Sequence, residues 1–284
     1  MIKRAVYSLW TKPMNGKTVG FNTEKNLIEC FALSLHYTKK WFDEVHLVTD
    51  FEGKDLVERY GLSFDNIDTS LEHVMMGIYE NHWSLGKIYA CKLQKEPFIH
   101  IDIDVILFKP LPNKFLKSDA AFQNLETESQ EYWYKWLLDH AEKNYVSKPK
   151  WFDTEKVKAY NCGVIAFNKL DVIQEWWIES LNYIKFLDES KFNYDHHLSC
   201  LIYEQFCIYC ICKFYNYEVD LLTFYGESHE KYMGTISEEL AKKLGYTHLI
   251  AASKRDPLIE KKIKNRLLEE GITIKKNNKD LSIY

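Results

Sequence analysis

Apolar and polar positions alternate along this chain in blocks that change period. Ala5 to Trp10 is a short apolar run that reads as a buried strand ending in a polar-aromatic tip, followed by a loop at Asn15-Gly16-Lys17. From Thr23 to Trp41, Leu27, Cys30, Phe31, Leu33, Ser34, Tyr37 and Trp41 recur at helical spacing. Glu44 to Thr49 predicts a second strand that ends in Asp50. Lys54 to Tyr60 predicts a short helix stopped by Gly61. An amphipathic helix over 81–93 then leads into the apolar strand Phe98–Ile101, which runs straight into Asp102 and Asp104. Further on, the pattern predicts helices over 128–143, 172–188 and 194–209, a strand over Tyr160–Asn168, and a late strand or loop at Thr247–Ala252.

Strands alternating with helices imply an α/β fold with a mainly parallel sheet covered by helices on both faces. Ligands in such sheets bind beyond the carboxyl ends of the strands. Three such ends carry polar residues here: Tyr7 to Trp10, Thr49-Asp50, and Asp102 to Asp104. The segment after Asp256 is basic and partly helical. The expected organisation is therefore one catalytic domain, residues 1–256, with a basic C-terminal helical extension, residues 257–284.

Composition narrows the function classes. The 284 residues are 46% hydrophobic, enough for a core, and 15% aromatic, which suits stacking on bases or sugar rings. A net charge of −4 argues against a nucleic-acid partner. Seven cysteines, several in apolar runs such as Cys207, Cys210 and Cys212, read as buried free thiols of a reducing compartment and not as a zinc site or a disulfide framework. With no apolar leader or membrane-length stretch, a soluble cytoplasmic protein is expected. The lysines of the extension (Lys261, Lys262, Lys264, Lys275, Lys276) could meet an anionic membrane, although Glu260, Glu269 and Glu270 interrupt them.

Asp102 and Asp104 are the strongest chemical signal. Two acids at i and i+2 on one extended strand project to the same side. At the end of a buried strand two carboxylates need compensation, and a divalent cation with oxygen ligands supplies it.

The run FIHIDIDVILFKPLP resembles the D-x-D region of GT-A (Rossmann-like) glycosyltransferases, in particular the retaining family of bacterial lipopolysaccharide glucosyl- and galactosyltransferases and glycogenin. That resemblance implies a Mn²⁺ or Mg²⁺ ion, a UDP-sugar donor and a glycan or glycolipid acceptor. It casts Asp102, Asp104 and His248 as metal ligands. Ile103 lies between the two aspartates, on the donor side. Asn161-Cys162-Gly163-Val164 resembles the family's N-A-G-V strand, with Asn161 offering an amide to sugar hydroxyls and Gly163 permitting close backbone approach. His248 to Lys254 resembles its H-x-x-G-x-x-K, with Ala251 in place of glycine and Lys254 on the phosphates. Asp195 and the pair Glu204-Gln205 compete for the acidic-Gln element that touches the sugar. Lys87, Tyr7, Ser8, Trp10 and Asp50 are candidates for donor contacts. The rival classes are a nucleotidyltransferase, for which Asn15-Gly16-Lys17-Thr18 is a thin phosphate loop, and a non-catalytic carbohydrate-binding protein.

Overall fold

The computed structural model describes residues 2–14, 18–126, 128–154, 158–190, 196–223 and 243–276. Seven strands build one sheet: β1 (Arg4–Leu9), β2 (Glu44–Thr49), β3 (Asn66–Asp68), β4 (Phe98–Ile101), β6 (Ala120–Leu125), β7 (Tyr160–Phe167) and β8 (Val219–Leu221). Their order is β3-β2-β1-β4-β7-β6-β8. Pairings are parallel except where β7 lies antiparallel to both β4 and β6. Two further strands, β5 (Val105–Leu107) and β9 (Tyr246–His248), form a separate antiparallel ribbon. The fold is α/β with a mostly parallel sheet between helices, as the alternating pattern predicts.

The helices are α1 (Glu24–Trp41), α2 (Phe51–Arg59), α3 (Leu71–Val74), α4 (Leu85–Lys92), α5 (Glu128–Asn144), α6 (Asp171–Glu189), α7 (His196–Leu201), α8 (Cys207–Phe214) and α9 (Pro257–Glu269). One face of the sheet packs on α1, α2 and α9 through Ala5, Tyr7, Val45, Leu47, Ile99 and Ile101. The other packs on α4, α6 and α8 through Val6, Val48, Phe98, Phe122 and Phe167. Central strands covered on both faces need apolar residues at every position, and this is why β4 and β7 read as continuous hydrophobic runs. Phe31, Phe98, Phe122 and Phe167 are fully buried, each stabilising by roughly 1.5–3 kcal/mol. The seven cysteines are all free and buried.

Local chemistry fixes several boundaries. The Thr23 hydroxyl accepts from Asn26 N and starts α1. Asp50 caps α2, so that helix begins at Phe51, one turn earlier than the apolar pattern suggests. Asp256 caps α9, with Pro257 at the first helical position. The helix expected over 81–93 is shorter, Leu85–Lys92, because residues 75–84 are a run of turns. The segment predicted as one helix over 194–209 divides into α7, a π-helical turn over Ile202–Phe206, and α8.

The C-terminal extension is docked over its described length. Ile259, Ile263 and Leu267 of α9 bury against α1, while Lys261, Lys262 and Lys264 stay exposed. No helix among the described residues is long and apolar enough to cross a membrane.

Candidate metal and active site

Four segments meet beyond the carboxyl end of β4. The strand stops at Ile101, and a turn closed by Val105 N–H donating to Asp102 O leads into β5. Asp102 and Asp104 therefore do not share one continuous strand, which corrects the simple same-face argument. The turn sends them to different partners. Asp102 faces α4, whose Lys87 donates to Asp102 Oδ2 at 2.8 Å. Asp104 faces the C-terminal segment, where Lys254 Nζ lies 2.6 Å from Oδ2 and His248 Nε2 3.5 Å from Oδ1.

The β5–β9 ribbon places the histidine. Val105 pairs with His248, and Leu249 N–H donates to Asp104 O, so the imidazole has to lie beside the second aspartate. One ligand atom each from Asp102, Asp104 and His248 falls within a 4.8 Å cluster. Two carboxylate oxygens and an imidazole nitrogen suit a hard to borderline divalent cation.

Two residues that the sequence reading passed over hold the histidine in place. Gln123 of β6 is buried, and its Oε1 lies 2.8 Å from His248 Nδ1. Its amide nitrogen donates to Asn124 Oδ1, which fixes the oxygen toward the ring. An acceptor at Nδ1 means that Nδ1 carries the proton, which leaves the Nε2 lone pair facing Asp104, the tautomer a metal ligand needs. Gly163 supplies the room. A Cβ there would sit 2.5 Å from both Gln123 Oε1 and His248 Cε1. The group to which this glycine allows a close approach is the histidine ring. Two amides, Gln123 and Asn124, within the otherwise apolar run AAFQNL were the signal available in the sequence.

Lys87 is not a surface lysine. It is 7% exposed and lies among Asp102, Glu204 Oε1 at 2.5 Å and Cys162 O at 3.0 Å. Burial works against its ammonium, but Asp102 and Glu204 outweigh it and hold the pKa above the ordinary lysine value. Glu204 sits in the π-helical turn, a device frequent at functional sites. It is 1% exposed, and burial raises its pKa against the opposing pull of Lys87. Burial likewise raises the Asp102 pKa, again against Lys87. Asp104 shows the opposite outcome: burial disfavours its charge, yet Lys254 and His248 overcome it and hold the carboxyl well below its usual range. Three carboxylates against two lysines leave one negative charge in excess. A dication fits this donor set and would turn the site positive, ready for an anionic ligand.

Other candidates are placed differently. Tyr7 is fully buried on the α1 side of β1, with its hydroxyl bonded to Ser34 and Thr38, so it is a core residue and offers no face for a base. Asp50 is used up as a cap: it accepts from Thr11 N, Thr11 Oγ1 and Gly53 N. Trp10 is 7% exposed and packs at Gly86 of α4. The Ile103 side chain packs in the core cluster that α1 shares. Asn161 donates to Glu126 Oε1 and accepts from Gly163 N–H, so its amide braces the start of β7 in place of reaching for a sugar. Ser8 Oγ lies 2.9 Å from His100 Nε2. Ala251 adopts φ +50°, a left-handed conformation uncommon for residues other than glycine, at the start of the short turn that carries Lys254. Gln205, beside Glu204, keeps a buried Oε1 without a hydrogen-bond partner among the described residues. Asp195 lies outside the described residues.

No curated protein matches the chain by sequence. Among solved structures it is similar to the galactosyltransferase LgtC in complex with donor and acceptor sugar analogues, at 10% identity and a TM-score of 0.46 over 95% of this chain and 96% of that one. It is also similar to mouse xyloside xylosyltransferase 1, at 11% identity and 0.41 over 78% and 85%. A third is the 4-diphosphocytidyl-2C-methyl-D-erythritol synthase of Anaerococcus prevotii, at 13% identity and 0.39 over 94% and 98%. Residues 3–273 match the model of a family described as a family of unknown function (DUF6734), and the chain belongs to that family.

Proposed function

We propose that this protein is a metal-dependent GT-A type glycosyltransferase that moves a hexose from a UDP-sugar to a hydroxyl of a glycan, glycolipid or glycoprotein in surface-polysaccharide synthesis. The observation that carries the reading is the convergence of Asp102, Asp104 and His248, each carboxylate already held by its own lysine. These three side chains would hold Mn²⁺ or Mg²⁺, which when bound supplies Lewis-acid stabilisation to a departing diphosphate.

The chain's own residues divide the remaining work. Lys254 comes from a short 3-10 turn and is partly exposed, so its long stem lets the ammonium turn from Asp104 toward a phosphate oxygen. Lys87 is confined by three partners and stays between Asp102 and Glu204. It thereby fixes the distance between the cation site and the buried acid. Glu204 Oε2 and Gln205 Oε1 are acceptors without partners among the described residues, suited to sugar hydroxyls and to positive charge at an anomeric carbon. Glu204 takes the role of the acidic element in this reading, and Asp195, outside the described residues, stays the alternative. If the acceptor is lipid-linked, the exposed lysines of α9 are the surface an anionic membrane would meet.

A screen of UDP-sugars for Mn²⁺-dependent hydrolysis, run beside calorimetry with UDP, tests the reading. Turnover of at least one donor is expected in the wild type, together with UDP affinity that rises with Mn²⁺. Asp102→Asn and Asp104→Asn should abolish both. Full turnover in either variant, or UDP binding indifferent to metal, would overturn the assignment.

A further inference from the structure

His100 is fully buried in β4, and its Nδ1 has no hydrogen-bond partner among the described residues. An orphaned ring nitrogen in a core is costly, so its surroundings need explaining. Asp102 directly follows the last residue of β4, two positions beyond His100. Nδ1 comes to 3.8 Å from Asp102 Oδ1, while the other carboxylate oxygen is held by Lys87. On the opposite edge of the ring, Nε2 meets Ser8 Oγ at 2.9 Å. The β1–β4 register explains this contact: Val6 pairs with His100, and Ser8 lies one pleat further along the same face.

The proton's location follows from the neighbours. If Nε2 carried it, a bare Nδ1 lone pair would face a carboxylate in a buried site. If the Ser8 hydroxyl donates to Nε2, the proton sits on Nδ1 and points at Asp102 Oδ1. The second arrangement satisfies Nε2 and replaces a repulsion at Nδ1 with an attraction. The ring meets Ser8 on one edge and Asp102 on the other, so one tautomer has to serve both edges.

We infer that His100, with its tautomer set by Ser8, is a positioning residue that donates from Nδ1 to Asp102 Oδ1 and holds that carboxylate in its cation-binding orientation. The inference rests on the metal reading above. The separation of 3.8 Å closes to a hydrogen bond by a small turn of the Asp102 side chain, as contacts at such sites commonly tighten on ligand binding. Gln123 gives His248 the same kind of support. Two of the three ligands are then oriented from behind by a buried side chain.

The test measures Mn²⁺ affinity in the presence of UDP, by calorimetry and by the electron paramagnetic resonance signal of free Mn²⁺, for His100→Leu, His100→Asn, His100→Gln and Ser8→Ala. Orienting partners of this type change affinity by about 10–100-fold, and a loss in that range is expected for His100→Leu. Asparagine places an N–H where Nδ1 stood and should recover most of the affinity. Glutamine places it where Nε2 stood and should not. Ser8→Ala should give a smaller loss. ¹⁵N spectra of the wild type should show a protonated Nδ1. Melting temperatures separate misfolding from misorientation, and the asparagine-over-glutamine order remains decisive if the leucine variant is unstable. Equal Mn²⁺ affinity across the series, glutamine outperforming asparagine, or a protonated Nε2 would overturn this inference alone. No Mn²⁺ binding by the wild type would overturn the metal reading and this inference with it.

Discussion

Replacing Lys87 with methionine would leave Asp102 and Glu204 without the cation that separates them, in a pocket where the lysine is 7% and Glu204 1% exposed. Removing one partner of a buried ion pair costs about 3–5 kcal/mol, because the other charge stays behind. Lys87→Met should therefore lower stability by that order in urea denaturation, and adding Glu204→Gln should recover a substantial part. If the double variant is no more stable than the single, the triad is not electrostatically coupled. Gly163 gives a second residue-scale prediction. Gly163→Ala forces a methyl against Gln123 and His248, and Mn²⁺ affinity should fall by about tenfold or more, the scale of a disturbed orienting shell. Unchanged metal affinity in a folded Gly163→Ala protein would count against the role of this glycine. Both residues were visible in the sequence as candidates, but their partners were not. Nothing near Gly163 in the chain names His248, 85 positions downstream, as the group it makes room for. Lys87 looks like any amphipathic-helix lysine until α4, β4 and the π-helical turn are brought together.

At the scale of elements, the apolar period located the strands and helices well and their ends poorly. Strand β4 and ribbon strand β5 read as one run, since the hydrophobic pattern continues through Ile103, whose side chain is buried within the turn itself. The π-helical turn is invisible to a 3.6-residue period because it only lengthens the hydrogen-bonded turn by one residue within an otherwise continuous helical run. Helix α9 shows how a charged segment can still belong to the fold. Glu270, just past its end, accepts from Lys40 and Tyr37, and His36 Nε2 lies 3.0 Å from it, all three on α1. The hydrogen bonds from Lys40 and Tyr37, with His36 added and burial opposing, lower its pKa to about 2 from an ordinary 4.5. A depressed carboxyl contributes stability that is fully present above the unfolded value and is lost as pH falls through the folded one. The clasp should therefore hold above about pH 4.5 and release toward about pH 2. Glu270→Gln should remove that dependence, so the wild-type advantage in chemical denaturation should shrink across this window. An advantage that stays constant down to pH 2 would assign the docking of α9 to Ile259, Ile263 and Leu267 alone.

For the molecule as a whole, the metal centre joins parts that the chain keeps far apart. Asp102 follows β4 of the main sheet, Asp104 leads into the ribbon, and His248 arrives on β9 from a distant part of the sequence. An unfolded chain cannot assemble three ligands spread over that distance, so a cation binds the native state and not the denatured one. Linkage then gives about 2.7 kcal/mol of added stability at a cation concentration one hundred times the dissociation constant. For a chain of this size that corresponds to a rise in melting temperature of roughly 5 °C. The excess negative charge of the site gives the effect its sign, because a monovalent salt screens the carboxylates without bridging them. Mn²⁺ with UDP should raise the melting temperature, EDTA should reverse the rise, and equivalent ionic strength from sodium chloride should not reproduce it. Asp104→Asn should abolish the increment and leave the baseline fold intact, since its partner Lys254 is partly exposed and finds water when the carboxylate is lost. A melting temperature that ignores Mn²⁺ and UDP, or that rises equally in Asp104→Asn, would place the cation somewhere other than this cluster. Gln123→Leu separates global from local effects: it keeps the β6 packing volume but releases the His248 ring, so the metal-induced shift should shrink while the metal-free melting temperature changes little.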